Sequence, residues 1–138
     1  MLRSLIVSGF VLAALSTNAF TGEAEVKGAQ SVIGSQLEAF QSNNESAAYN
    51  YAAPNVKRIF PTVDSFMSMV TNAYKPVRQP KSFAFGKSEE NGGKIVQQVY
   101  IVGPDSKDYE ALYTLEQQPD GSWLITGVSL RASNALSI

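Results

Sequence analysis

Gly121-Ser122-Trp123-Leu124-Ile125-Thr126-Gly127-Val128 is the stretch that indicates how the end of this chain folds. Side chains alternate between the two faces of a strand, so Trp123 and Ile125 share one face. Val128 and Leu130 continue the apolar pattern with the opposite parity, and a glycine stands at the change of phase. The stretch therefore predicts a strand with a β-bulge at that glycine. The bulge bends the strand and keeps all four apolar side chains on one helix-covered face.

Three further strand-like runs precede this one from residue 82 onward, and turn sequences separate all four. The run from Lys94 to Val102 is apolar on both faces, which is typical of a central or covered strand. Together the runs predict a four-stranded antiparallel meander. The three turn sequences, rich in residues that favour tight turns, are Asn91-Gly92-Gly93, Gly103-Pro104-Asp105-Ser106 and Pro119-Asp120-Gly121.

Between residues 29 and 74 the apolar residues recur at helical spacing instead. A first helix presents one apolar face, a second short helix follows Asn44, and a single turn follows Pro54. A third helix begins after the N-cap Thr62, and Lys75-Pro76 closes it. The fold class is α+β, with three N-terminal helices packed on a curved four-stranded antiparallel sheet. The apolar face of the first helix comprises Ala29, Val32, Ile33, Gln36, Leu37 and Phe40, and that of the third Val63, Phe66, Met67, Val70 and Tyr74.

Residues 1–19 have the layout of a secretory signal peptide. One positive charge at Arg3 precedes an apolar stretch over residues 5–15, which is too short for a comfortable membrane span. Small residues then provide a cleavage site after Ala19, and a second site follows Ala24. An uncleaved N-terminal anchor is the alternative. The expected organisation is a signal peptide at 1–19, a disordered mature N-terminus at 20–28, a single α+β domain at 29–133 and a C-terminal tail at 134–138. We expect the mature protein to be periplasmic or secreted.

The composition of the chain excludes several classes of function. Its 138 residues include no cysteine and no histidine, which rules out thiol catalysis, Cys-based metal sites and the usual catalytic triads. The formal net charge is −1, and Lys57-Arg58 is the one adjacent basic pair, so binding of nucleic acid is not expected. We predict no metal and no cofactor.

The helices and the meander together resemble the cone-shaped, cystatin-like fold of the nuclear transport factor 2-like superfamily. That superfamily includes dehydratases, isomerases, cyclases and binding modules, so the resemblance implies a fold and leaves the activity open. Its dehydratases and cyclases often use a pocket histidine with an aspartate, and this chain has no histidine. Four stretches are similar, more narrowly, to an exported bacterial family known as domain of unknown function 4864. They are Ser31-Val32-Ile33-Gly34-Ser35-Gln36-Leu37-Glu38-Ala39-Phe40, residues 47–54, Phe66-Met67-Ser68-Met69-Val70 and Tyr74-Lys75-Pro76-Val77-Arg78.

A bent sheet leaves a hollow against straight helices, so we expect any pocket between the third helix and the concave face of the sheet. Tyr74 and Arg78 would lie near its mouth, where they could orient an anionic or carbonyl ligand. Their alternative roles are a tyrosine at the edge of the core and an arginine in solvent. The apolar wall of the pocket would consist of Phe66, Val70, Phe83 and Tyr113.

Three functions remain open at this point. The leading prediction is a non-catalytic module that binds a small apolar or amphipathic molecule, or another protein. The first alternative is a His-independent isomerase or lyase that uses Asp and Tyr, with Asp64 as its base. An aspartate in the first turn of a helix is, however, usually only a favourable charge for the helix dipole. The second alternative is a structural protein that forms a homodimer through the open sheet face, as relatives of this fold commonly do.

Overall fold

Five helices followed by four strands form the part of the chain that the computed structural model describes, residues 18–133, with side chains from residue 22. The helices pack on one face of the sheet, so the predicted α+β class is confirmed. The helices are α1 (Asn18–Gln41), α2 (Glu45–Asn50), α3 (Pro54–Ile59), α4 (Val63–Ala73) and α5 (Lys75–Arg78). The strands are β1 (Ser82–Glu90), β2 (Lys94–Val102), β3 (Asp108–Gln117) and β4 (Trp123–Ala132).

The sheet is an antiparallel meander with the order β1-β2-β3-β4, in which β2 and β3 are central. The bulge predicted in β4 is confirmed, because the register between β3 and β4 shifts by one residue at Thr126-Gly127. Val128 and Leu130 consequently pack against the same core as Trp123 and Ile125. The extra residue of the bulge is the reason that apolar residues at odd and even positions of β4 lie on one face of the sheet.

A second bulge, which the sequence does not predict, interrupts β1. Gly86 and Lys87 there lie opposite the single residue Gln98 of β2. The fully buried amide of Gln97 supports the irregular backbone, donating to the carbonyl oxygens of Gly86 and Lys87 at 3.2 and 3.3 Å. Its oxygen accepts a hydrogen bond of 3.1 Å from Gln30 of α1. A buried glutamine therefore connects the first helix to the bent edge of the sheet.

The structure corrects the expectation that residues 20–28 are disordered, because α1 begins at Asn18. Contacts with the core explain why this part of the chain is helical. Val26 packs against the core, and Gly28 lies so close to the indole of Trp123 that an added Cβ would stand 3.1 Å from Cδ1. The predictions for residues 1–17 and for the tail at 134–138 lie outside the described residues.

Local capping explains where the middle helices begin and end. The side chain of Asn44 accepts a hydrogen bond from the backbone N–H of Ala47 at the start of α2. Thr62 and Ser65 form a reciprocal capping box at the start of α4. That helix ends at Ala73, one residue before the predicted Tyr74, and Lys75-Pro76, which the sequence predicts to close it, opens the short helix α5. Proline fits there because the first helical turn needs no N–H from it.

The segment between α2 and α3 is joined to β4 by a short parallel bridge. Ala53 donates its backbone N–H to the carbonyl oxygen of Ile125 at 2.8 Å, and Ile125 donates to that of Tyr51 at 2.9 Å. This bridge fixes α3 beside the edge of the sheet just before the bulge. Among the described helices, none is both long enough and apolar enough to cross a membrane.

Candidate ligand-binding cavity

A cavity of about 360 Å³ lies between α3, α4 and the bulged part of β4. This is the place where the sequence predicts a pocket, between the third predicted helix (α4) and the sheet. Its volume is within the usual range of small-molecule sites. Of the seventeen described residues that line it, thirteen have apolar side chains or are glycine: Phe40, Ala52, Val56, Ile59, Phe60, Phe66, Met69, Val70, Ala73, Val77, Ile125, Gly127 and Val128.

A backbone bridge and a bulge shape the side of the cavity that β4 forms. The bridge at Ala52 and Ile125 holds the start of α3 against β4. Immediately after it, the bulge at Thr126-Gly127 turns β4, and the lining residue Gly127 brings no side chain. The hydroxyl of Thr126 donates to Thr114 Oγ1 at 2.9 Å, across the neighbouring strand. The bulge that the sequence predicts therefore forms part of the cavity wall.

Four of the described residues that line the cavity are polar: Gln36, Asn55, Tyr74 and Thr126. Each already donates a hydrogen bond to the protein. Tyr74 donates to the carbonyl oxygen of Val128 at 3.3 Å, and Asn55 donates to that of Thr126 at 3.0 Å. Among the described residues, no Asp, Glu, Lys or Arg lines the cavity.

Gln36 differs from the other three because it is almost completely buried, with 3% of its surface exposed. Its side-chain nitrogen donates to the carbonyl oxygen of Ala48 at 3.0 Å and so ties α1 to α2. Its side-chain oxygen accepts no hydrogen bond from any described residue, and it is not among the fully buried unpaired atoms, so part of its surface stays accessible to water. The sequence places Gln36 on the apolar face of the first helix without giving it a role. A polar residue within an apolar stripe was the signal that could have identified it.

Three of the six predicted site residues, Phe66, Val70 and Tyr74, line the cavity. Arg78 does not, although the sequence places it at the mouth. Its guanidinium instead donates to the carbonyl oxygen of Phe40 at 2.9 Å and to Asn43 Oδ1 at 3.0 Å. Arg78 therefore holds the C-terminal end of α1, where unpaired carbonyl groups favour a cation.

The other two predicted wall residues also lie outside the cavity. Phe83 packs edge-on against Phe85, with ring centroids 6.0 Å apart, because both side chains leave β1 on the same face. Tyr113 of β3 is fully buried in the core, and its hydroxyl has no hydrogen-bond partner among the described residues. Burial raises the pKa of the Tyr113 hydroxyl well above its usual value, so the side chain stays neutral.

The aspartate considered as a base lies away from the cavity wall. Asp64 is exposed in the first turn of α4 and is not among the cavity-lining residues. In that position its charge favours the positive end of the helix dipole. Within residues 18–133, no group of three acidic side chains is placed to hold a metal ion.

Comparisons with known proteins agree with this architecture. A family model described as "Domain of unknown function (DUF4864)" matches residues 22–138. A search of curated proteins found no match. Among solved structures, the chain is similar to an NTF-2 like protein of unknown function from Silicibacter pomeroyi DSS-3, with 13% identity and a TM-score of 0.59. That alignment covers 81% of this chain and 98% of the other.

A second similar structure is an NTF-2 like protein of unknown function from Burkholderia xenovorans LB400. It has 7% identity and a TM-score of 0.53, and the alignment covers 83% of this chain and 89% of the other. At such low identity these likenesses establish the nuclear transport factor 2-like fold and nothing about activity.

Proposed function

We propose that this chain, which belongs to the DUF4864 family, is an exported, non-catalytic module that binds a small, mainly apolar molecule in the cavity between α3, α4 and β4. The observation that carries the proposal is the cavity itself. A concave site with a largely apolar wall and a few polar groups is the usual form of a small-molecule site.

The size and chemistry of the cavity limit the ligand. Liquid water takes about 30 Å³ per molecule, so 360 Å³ matches roughly a dozen water molecules. A ligand of eight to twelve non-hydrogen atoms, on the order of a medium-length aliphatic chain, is the natural size for such a space. Apolar surface moved from water into the cavity supplies the favourable free energy of binding.

The residues of the wall favour binding without turnover. General acid–base chemistry needs a titratable group within hydrogen-bond reach of the substrate. Among the described residues that line the cavity there is no carboxylate, and the hydroxyl of Tyr74 already donates a hydrogen bond to the carbonyl oxygen of Val128. We therefore rank a His-independent isomerase or lyase below a binding protein.

A matched pair of α4 variants tests the proposal. Ala73 lines the cavity and is exposed at its edge, whereas the neighbouring Asn72 is exposed and does not line it. We expect 1-octanol to cause saturable NMR shifts of the Met69 and Val70 methyl groups in the wild type and in Asn72→Phe. Ala73→Phe places a ring at the opening and should weaken this binding at least tenfold. Absence of saturable binding to the wild type, or equal binding by the two variants, would contradict the proposal.

A second candidate function, homodimer formation, is favoured by the outer face of the sheet. Val96, Tyr100 and Leu112 lie on that face with 39%, 46% and 41% of their surfaces exposed, on the adjacent strands β2 and β3. Exposed apolar side chains this close together are a common feature of interaction surfaces. Analytical ultracentrifugation of the wild type and of Leu112→Glu tests it. A dimer that the variant disrupts would support this role, and a wild-type monomer at high concentration would exclude it.

A further inference from the structure

Among the described polar residues that line the cavity, Gln36 is the one that is almost completely buried. Gln36 lies on the apolar face of α1 beside Ile33 and Leu37, and its nitrogen is held by the carbonyl oxygen of Ala48. That bond fixes which end of the amide meets α2. The amide oxygen is left as an acceptor on a residue that lines the cavity.

This oxygen needs a donor, because an acceptor left unpaired when a ligand covers it loses the hydrogen bond that it makes with water. A water molecule in the cavity can supply that donor. A ligand that displaces this water loses affinity unless it reproduces the bond. Ligands that carry an O–H or N–H group should therefore bind more tightly than apolar ligands of the same shape.

The charge of the ligand follows from the rest of the wall. No Lys or Arg is among the described residues that line the cavity, so a carboxylate or phosphate would be buried without a cation. The guanidinium of Arg78, which the sequence suggests as an anion partner, is engaged by Phe40 and Asn43 instead. An anionic group is thus disfavoured inside, while a neutral hydroxyl suits the acceptor.

We infer that the cavity takes a neutral, mainly aliphatic alcohol, whose hydroxyl donates to Gln36 Oε1, and that Gln36 is its specificity-determining residue. The inference rests on the proposed function, since it names the ligand class of the same cavity. The aliphatic part of the ligand packs against Phe66, Met69 and Val70 of the wall.

Three probes of matched size test the inference. 1-Octanol and heptyl methyl ether are isomers that differ in whether the oxygen carries a donor, and octanoate adds a charge. We expect 1-octanol to bind the wild type at least fivefold more tightly than the ether, the ratio expected for one acceptor that the bound ether covers without a donor. Octanoate should bind more weakly than the alcohol at neutral pH. In Gln36→Met, which removes the amide at similar volume, the preference for the alcohol over the ether should disappear.

If Gln36→Met does not fold, NMR measurements on the wild type alone still test the inference. 1-Octanol should then shift the side-chain amide resonances of Gln36 more strongly than the ether does, relative to the shifts of the Val70 methyl groups. Equal affinities for the two isomers, tighter binding of octanoate, or a preference that survives in Gln36→Met would each overturn this inference and leave the proposed function standing. Failure of all three probes to bind would overturn both.

Discussion

At the scale of single residues, Trp123 lies where the first helix meets the last strand. It is 5% exposed, and its indole touches the backbone of α1 at Gly28. Truncation to alanine would leave a cavity between helix and sheet, so we expect Trp123→Ala to lower the free energy of unfolding by about 3–5 kcal/mol. Leu124→Ala is the control, because Leu124 pairs with Glu116 on the outer face and is only half-buried. Equal losses in the two variants, measured by urea denaturation, would contradict this role of Trp123.

Arg78 illustrates a charged residue whose role is structural. Its side chain is 14% exposed and donates to Phe40 and Asn43 at the end of α1, while Glu45 lies 3.9 Å away. The half-exposed ion pair adds little. Loss of the two hydrogen bonds should lower the free energy of unfolding of Arg78→Ala by about 1–3 kcal/mol.

The affinity of Arg78→Ala for 1-octanol should stay within about twofold of the wild type, since Arg78 does not line the cavity. Arg78→Lys is the control, because it keeps the charge and loses the planar fork that serves both acceptors. A variant that is as stable as the wild type but no longer binds 1-octanol would make Arg78 a ligand residue, as the sequence predicts.

Residue type alone could not separate these roles. An arginine next to a predicted pocket is a reasonable anion partner until its actual acceptors, Phe40 and Asn43, are known. Gln36 carries no charge and lies in an apolar stripe, so the sequence gives no direction to its amide. Only the packing of α1 against α2 decides which atom of Gln36 is bonded and which one is left over.

At the scale of elements, the contact of α1 with the sheet depends on a glycine. An alanine normally favours a helix over glycine by about 0.5–1 kcal/mol. At Gly28, however, the new Cβ would stand 3.1 Å from the buried indole of Trp123, which has little room to move. We expect Gly28→Ala to lower the free energy of unfolding by about 1 kcal/mol or more.

Gly22, also in α1, provides the matched control for this helix. An added Cβ there would meet nothing within 4 Å. Gly22→Ala should therefore leave the free energy of unfolding unchanged or raise it by up to about 1 kcal/mol. If thermal denaturation showed both alanines to be stabilising, the close packing of α1 on Trp123 would be wrong.

The two bulges show which irregularities a sequence can reveal. The bulge in β4 has apolar residues on both sides, so the change of parity between Ile125 and Val128 is visible. The bulge in β1 is followed by Ser88, Glu89 and Glu90, and polar residues carry no parity signal. The start of α1 is missed for a similar reason, since the stretch before Ala29 has few apolar residues and Gly28 makes its contact through the backbone.

At the scale of the whole molecule, one deformation of the sheet links fold and cavity. The bulge at Thr126-Gly127 keeps the last strand on the core, and the same two residues line the cavity beside α3 and α4. The family resemblance and the strand pattern were sufficient for the fold and for the approximate place of the cavity. The composition of its wall was not predictable, because it depends on how α3 is fixed to β4 by the Ala52–Ile125 bridge.

We propose further that the chain is exported and cleaved after Ala19, which puts the mature N-terminus at Phe20. Cleavage there would keep Gly22 and every later residue of the family match, whereas cleavage after Ala24 would remove the first three matched residues. It would also retain the helical turn that precedes Val26, the residue that packs on the core, whereas cleavage after Ala24 would remove most of that turn. Mass spectrometry of the protein from separated cell fractions should find Phe20 first in the periplasm or medium. Ala19→Tyr, with a bulky side chain at the cleavage site, should block processing or move it to Ala24. An intact Met1 in the cytoplasmic fraction of the wild type would contradict export.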